Sequence, residues 1–227
     1  MKRDGRLLWA GREAERLPPA SLAKMMTALL ALERGELKRV VAVSLGAVRE
    51  TGTRIGLKTG ERLRAGDLLA AMAVRSANDA CRALAENISP DFVPLMNARA
   101  AALGMRDTHF ADPCGHDRAG QYSTAADLAR LGEELMRHPE YLRLARLARM
   151  SVVTIEGRRI SFHNTNALIG RYDGAIGLKT GYTEDAGNCL VALAERDGVR
   201  VLVVLLNAPN RWWNAVGLLD RAFQAER

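Results

Sequence analysis

Long apolar runs are missing from this chain. None exceeds seven residues, and Val201–Leu206 has six, against the roughly 18 that a membrane span needs. No transmembrane span is therefore expected, and no apolar h-region follows Met1-Lys2-Arg3-Asp4-Gly5. Cysteine is scarce too. Cys81, Cys114 and Cys189 are odd in number and far apart, which excludes a disulfide framework. Lysine is rarer than the charge suggests. Only five of the 33 basic residues are Lys (Lys2, Lys24, Lys38, Lys58 and Lys179), so a Lys inside a motif carries more weight. The net charge of +7 raises the question of nucleic acid. The arginines are spread along the chain and form no basic block, so a solvated surface and no specific nucleic-acid partner are expected.

What is present is an ordinary globular composition. The 227 residues are 48% hydrophobic and 26% charged, enough for one large domain or for a core with a sizeable insertion. Arg3-Asp4-Gly5-Arg6 predicts a hairpin turn entering a strand at Leu7. Pro18-Pro19-Ala20-Ser21 opens a helix whose Leu22, Met25, Met26 and Leu29 share one face, and Gly35 can end it. Helices are expected over Asp67–Val74, Ala80–Asn87, Phe92–Leu103 and Ala125–Arg137, the last capped by Ser123-Thr124. Beyond residue 150 the period changes to that of strands. Ser151–Glu156 and Arg158–His163 form a hairpin about Gly157, and Ala175–Thr180, Cys189–Glu195 and Val199–Leu206 follow. Asp197-Gly198 turns between the last two, and a helix from about Trp212 to Gln224 closes the chain.

This order predicts an α/β (α+β) fold. A mainly antiparallel sheet, built from both ends of the chain and flanked by helices, carries an inserted helical subdomain. As one domain over 1–227, it divides into an α/β part at about 1–64 and 139–227 and a helical insertion at about 65–138.

Three short patterns carry chemistry: Ser21-Leu22-Ala23-Lys24, Ser76-Ala77-Asn78 and Lys179-Thr180-Gly181. Each is weak alone, but the three together have a chance on the order of one in a thousand. This trio type belongs to serine β-lactamases and penicillin-binding proteins. Ser21 and Lys24 lie one helical turn apart on one face. The positive end of the helix and the apolar neighbours both disfavour an ammonium there, as a neutral general base requires. Ser76-Ala77-Asn78 falls between two helices, where a turn would present a hydroxyl and an amide together. Lys58-Thr59-Gly60 repeats the third pattern, but Glu61 follows it and would repel a substrate carboxylate, so Lys179 is the expected functional copy. The segment His109-Phe110-Ala111-Asp112-Pro113-Cys114-Gly115-His116-Asp117 lacks a paired ligand spacing. Turn chemistry is expected there, with no metal or cofactor.

Longer stretches extend the match: Pro19–Thr27 (PASLAKMMT), Arg75–Cys81 (RSANDAC), Thr108–Phe110 (THF), Gly120–Thr124 (GQYST) and Gly177–Thr183 (GLKTGYT). Together they resemble the D-alanyl-D-alanine carboxypeptidases, low-molecular-weight serine-type penicillin-binding proteins, over nearly the whole chain. The resemblance implies a β-lactamase or DD-peptidase-like fold. It implies that Ser21 attacks the carbonyl between two terminal D-alanines of a peptidoglycan stem peptide, with Lys24 as base. Ser76 would pass a proton to the leaving amine, and Asn78 would hold Lys24 and the substrate amide. Backbone N–H groups of Ser21 and Tyr182 would form the oxyanion hole. Lys179, Thr180, Gly181, Tyr182 and Thr183 would line the binding strand, with Lys179, Thr180 and Thr183 on the terminal carboxylate. β-Lactams would be covalent inhibitors, and the site of action would be periplasmic or otherwise extracytoplasmic. The resemblance offers Arg211 a part in carboxylate recognition, but its match there is loose, and a surface residue at a helix start is the expectation.

Only three residues precede the Asp4-Gly5 turn, so a native start upstream, with a further strand and an export signal, is expected. Other readings of the same motifs are a D,D-endopeptidase or transpeptidase, a non-catalytic cell-wall-binding relative, and a β-lactamase. A class A β-lactamase deacylates with a dedicated Glu. Here Glu133, Glu134 and Glu140 lie in the right interval but lack an accompanying Asn.

Overall fold

The computed structural model describes residues 1–224. A five-stranded antiparallel sheet runs in the order β2 (Arg6–Leu7), β1 (Lys2–Arg3), β9 (Val199–Leu205), β8 (Gly187–Arg196), β7 (Ala175–Thr183). It joins the two ends of the chain as expected. Asp4 and Gly5 both take positive φ, 45° and 82°, which suits the right-handed twist of a tight hairpin. The short arm is paired on both sides, Lys2 with Leu7 and with Leu202. Leu7 and Trp9 remain exposed beside this edge.

Period-two alternation gives the sheet two apolar faces. On β8, Cys189, Val191 and Leu193 enter the main core. Leu190, Ala192 and Ala194 pack instead with Ala215, Leu219 and Ala222 of α8 (Arg211–Gln224). The middle of the main core is α1 (Lys24–Arg34), ended by Gly35 at φ 73°. Met25, Met26, Ala28 and Leu29 are fully buried, and so is Thr27. A helix apolar nearly all round belongs inside. Each such Leu or Met contributes about 1.5–3 kcal/mol by leaving water.

Around α1 stand α3 (Ala65–Arg75), α4 (Asn78–Ile88), α5 (Phe92–Ala102) and α6 (Ala125–Leu135). Thr124 caps α6 by accepting from Asp127 N. The hairpin of β5 (Arg149–Val153) and β6 (Arg159–His163) lies beside α3. Three features were not expected. The pair β3 (Val40–Ala42) and β4 (Arg62–Arg64), with α2 (Leu45–Val48) between them, is too short for a periodic signal. Helix α7 (Pro139–Ala145) starts with Pro at its first turn. Strand β7 continues past Thr180 to Thr183, because its pairing with β8 runs on to Gly187.

Candidate active site

Three segments converge. The first is a 3-10 turn, Ala20–Ala23, that precedes α1. Ser21 therefore lies in this tighter turn and caps nothing, while Lys24 is the first residue of α1. The expected helix start is thus a 3-10 turn that runs directly into α1. Lys24 is 1% exposed, and its Nζ sits 2.9 Å from Ser21 Oγ. A second bond runs from Lys24 Nζ to the Cys114 carbonyl. Thr27 Oγ1 donates to the Pro113 carbonyl at 2.7 Å. The loop carrying these carbonyls presses on the Ala20–Ala23 turn. A Cβ on Gly115, which has φ +83°, would lie 1.9 Å from Ala20 O.

The second segment is the turn between α3 and α4. Ser76 ends α3 in the left-handed region, φ 62°. Sparse backbone conformations of this kind cluster at functional sites. Asn78 is the first residue of α4. Both are only 7% exposed, so the turn does not present them to bulk solvent as expected. Asn78 Nδ2 donates to Thr51 O at 2.6 Å, and its backbone N–H donates to Thr53 O at 2.7 Å. No hydrogen bond between Asn78 and Lys24 occurs among the described residues, contrary to the expected contact. Asn78 Oδ1 is buried without a partner. A buried acceptor of this kind is costly unless a ligand donor fills it. Asp79 accepts the N–H groups of Ile55, Gly56 and Leu57 and so fixes the facing loop.

The third segment is the edge strand β7. Lys179, 2% exposed, donates to Ser76 Oγ at 2.7 Å and to Thr180 O at 2.8 Å. Burial, then the charge of Lys24, holds its ammonium well below the usual lysine range. Thr180 Oγ1 is 2.8 Å from Thr165 Oγ1. Gly181 is the close approach: a Cβ there would be 3.1 Å from Ala20 Cβ and 3.2 Å from Ser21 N. Tyr182 is exposed. Thr183 Oγ1 accepts from Ala186 N at 3.1 Å, which leaves its O–H free to donate. The structure thus brings Ser21, Lys24, Ser76, Lys179, Thr180 and Gly181 together, with Asn78 two residues from Ser76.

Residues 2–210 match the sequence profile of D-alanyl-D-alanine carboxypeptidase. The chain belongs to that family. It is 36% identical to D-alanyl-D-alanine carboxypeptidase DacF of Bacillus subtilis over 96% of its own length and 59% of that protein's. The chain therefore spans less than two thirds of that relative. Its fold is similar to a Streptomyces DD-transpeptidase, with a TM-score of 0.92 at 27% identity, covering 97% of this chain and 93% of that one. A Listeria monocytogenes penicillin-binding protein in its ampicillin-bound form gives 0.84 at 33% identity, with 97% and 93% covered.

Within this carboxypeptidase-family fold, Arg211 departs from its expected place, and several other neighbours of the site follow no sequence pattern. Arg211 is half-buried at the start of α8. Its Nη1 donates to Gly181 O at 2.6 Å and Cys189 O at 3.3 Å, and its Nε is buried without a partner. It braces β7 and β8 from the start of α8. Thr51, Thr53 and Thr165 act at the site through local backbone or hydroxyl contacts that follow no period. The Lys58-Thr59-Gly60 copy is exposed, with Lys58 N donating to Glu61 at 3.1 Å in a turn. All three cysteines are buried. Burial and Cys81 push the Cys114 thiol well up. His109 Nδ1 meets Gly120 O at 2.9 Å. Glu133 pairs with Lys2, Glu134 with Arg99, and Glu140 is exposed on α7, so these carboxylates are engaged elsewhere or turned outward.

Proposed function

We propose that this chain is the catalytic part of a serine-type D-Ala-D-Ala carboxypeptidase, acting on peptidoglycan stem peptides by an acyl-enzyme route. The observation that carries the reading is Ser21 Oγ at 2.9 Å from the Nζ of a buried Lys24, with a second buried lysine, Lys179, on the facing strand. Ser21 loses its proton to Lys24 as its Oγ bonds the scissile carbonyl carbon. N–H groups of Ser21 and Tyr182 take the developing oxyanion. The proton passes by way of Ser76 to the leaving D-alanine nitrogen, and water then releases the acyl group. Lys179, Thr180 and Thr183 hold the terminal carboxylate, and the unpaired Asn78 Oδ1 accepts a substrate amide N–H. An anion beside a buried lysine favours its charged form.

In this reading the helical residues 65–138 form an insertion in a single penicillin-binding domain, and the enzyme works outside the cytoplasmic membrane, where its substrate lies. None of the described helices is long and apolar enough to cross a membrane. The test is release of D-alanine from a stem peptide together with intact mass after penicillin. A persistent adduct with D-alanine release supports the reading. Rapid penicillin turnover points to a β-lactamase, transfer to an added amine to a transpeptidase, and no adduct to a non-catalytic relative.

A further inference from the structure

We infer that a half-buried ionic frame of Glu50, Arg82, Asp112 and His116 positions Lys24 and Asn78 relative to each other. The inference rests on the acyl-enzyme reading above.

Asp112 is 3% exposed. Its Oδ1 accepts three successive backbone N–H groups, from Cys114 at 2.8 Å, Gly115 at 2.8 Å and His116 at 3.2 Å. That wraps the loop so that the Cys114 carbonyl faces Lys24 Nζ. Gln121 closes the same loop: its Oε1 accepts from Ala111 N and Asp112 N, and its Nε2 donates to His116 O. The other carboxylate oxygen of Asp112 takes Arg82 Nη2 at 2.8 Å. Arg82 stands on α4 one turn beyond Asn78, and its Nε reaches Glu50 Oε1 at 2.5 Å. Glu50 Oε2 meets His116 Nε2 at 2.5 Å, back on the first loop. The residue after Glu50 is Thr51, whose carbonyl holds the Asn78 amide. One ring of contacts thus ties the loop that holds Lys24 to the segment that holds Asn78, with α4 as the third side.

Stability alone does not account for such a cluster. The desolvation of charges offsets much of their attraction, and apolar residues of like volume do as well. Fixing direction is what a guanidinium between two carboxylates does best, since its planar fork bonds both at set angles. The direction matters because Gly115 has no room to move toward the Ala20–Ser21 peptide. A displacement of the loop would carry to Ser21 as well as to Lys24. These are positioning residues: none touches the reacting atoms, and each acts through Lys24 or Asn78.

The test separates non-covalent binding of a fluorescent penicillin from the acylation rate constant by stopped flow. Wild type is compared with Arg82→Gln, Arg82→Lys and Asp112→Asn, all well below their melting temperatures. Misplacement by about an ångström costs on the order of 10²-fold. Arg82→Gln and Asp112→Asn should therefore slow acylation roughly 10- to 100-fold, with the penicillin dissociation constant within about twofold of wild type. Arg82→Lys keeps the charge but reaches only one carboxylate, so it should recover part of the loss. In an Asn78→Ala background the Arg82→Gln effect should shrink, because one of the two positioned groups is gone. Should Arg82→Gln not fold, Arg82→Lys and His116→Gln supply the same comparison. Folded variants that acylate at the wild-type rate would overturn the frame while leaving the enzyme reading intact. A fall in binding and rate that merely follows the unfolded fraction would overturn it equally. Wild-type protein that forms no adduct would overturn the acyl-enzyme reading, and this inference with it.

Discussion

The chain writes Lys-Thr-Gly twice, and the two copies could hardly differ more. Lys58-Thr59-Gly60 lies in an exposed turn before β4, with Gly60 at φ +79° and open space around it. Its neighbour Glu61 is paired at 2.5 Å with Arg158. Lys179-Thr180-Gly181 lies inside a nine-residue edge strand. There the lysine is buried against Ser76, the threonine meets Thr165, and the glycine lets the strand close on Ser21. One tripeptide is thus a surface turn in one place and a buried strand segment against Ser21 and Ser76 in the other. Burial decides the difference. A lysine in water is a solvated point charge, whereas a desolvated one aimed at a cleft binds an anion strongly.

The lysines give the largest contrast. Lys179→Ala should slow penicillin acylation by roughly 10²-fold or more, as loss of a desolvated, charge-assisted contact does. Lys58→Ala should stay within about twofold, as exposed changes do. Equal losses in stopped-flow acylation would erase the distinction between the copies. The glycines come next. Gly181→Ala sets a methyl 3.1 Å from Ala20 Cβ and 3.2 Å from Ser21 N, and it should slow acylation about tenfold by shifting the nucleophile turn. Gly60→Ala meets no atom, and its strained φ should cost about 1 kcal/mol of stability, seen in the thermal melt, with acylation unchanged. Thr180→Val removes a buried hydroxyl contact, for about 1 kcal/mol, and Thr59→Val should be silent in the same melts.

The smallest effects concern pH, and they fall in opposite windows. Lys179 is held below its ordinary value near 10.4, so the folded state binds fewer protons than the unfolded one between the two values. Stability should rise with pH between those two values, and Lys179→Met should flatten the rise. Glu61 is held below the usual carboxylate range, chiefly by its hydrogen bonds from Arg158. Its contribution is complete above about pH 4.5 and is lost as pH falls through its folded value, so Glu61→Gln should flatten only the acid limb. Denaturant melts across pH for the two variants check both signs.

Much of this was legible in the sequence, for local reasons. Met25, Met26 and Leu29 mark α1 by period, and Asp197-Gly198 marks the β8–β9 turn by the backbone it demands, with φ of 50° and 79°. Ser21, Lys24, Ser76, Lys179, Thr180 and Gly181 stand out by spacing, and the fold brings them together. What was not legible depends on residues distant in the chain. Cys114 serves Lys24 through its carbonyl, which no side-chain pattern reveals. Arg211 reaches β7 only because α8 packs over the sheet. Asn78 bonds Thr51 and not Lys24, because the segment after Glu50 crosses the start of α4. Strands of three residues such as β3 and β4 are too short for a period to show.

The account stands or falls on the residue that penicillin acylates. Mass mapping of the adduct on the wild-type chain should place the label on Ser21, at 2.9 Å from Lys24 Nζ. Lys179→Ala should slow its appearance and Lys58→Ala should not. A label on Ser76 or on any other residue, formed at the wild-type rate in Lys179→Ala, would contradict it.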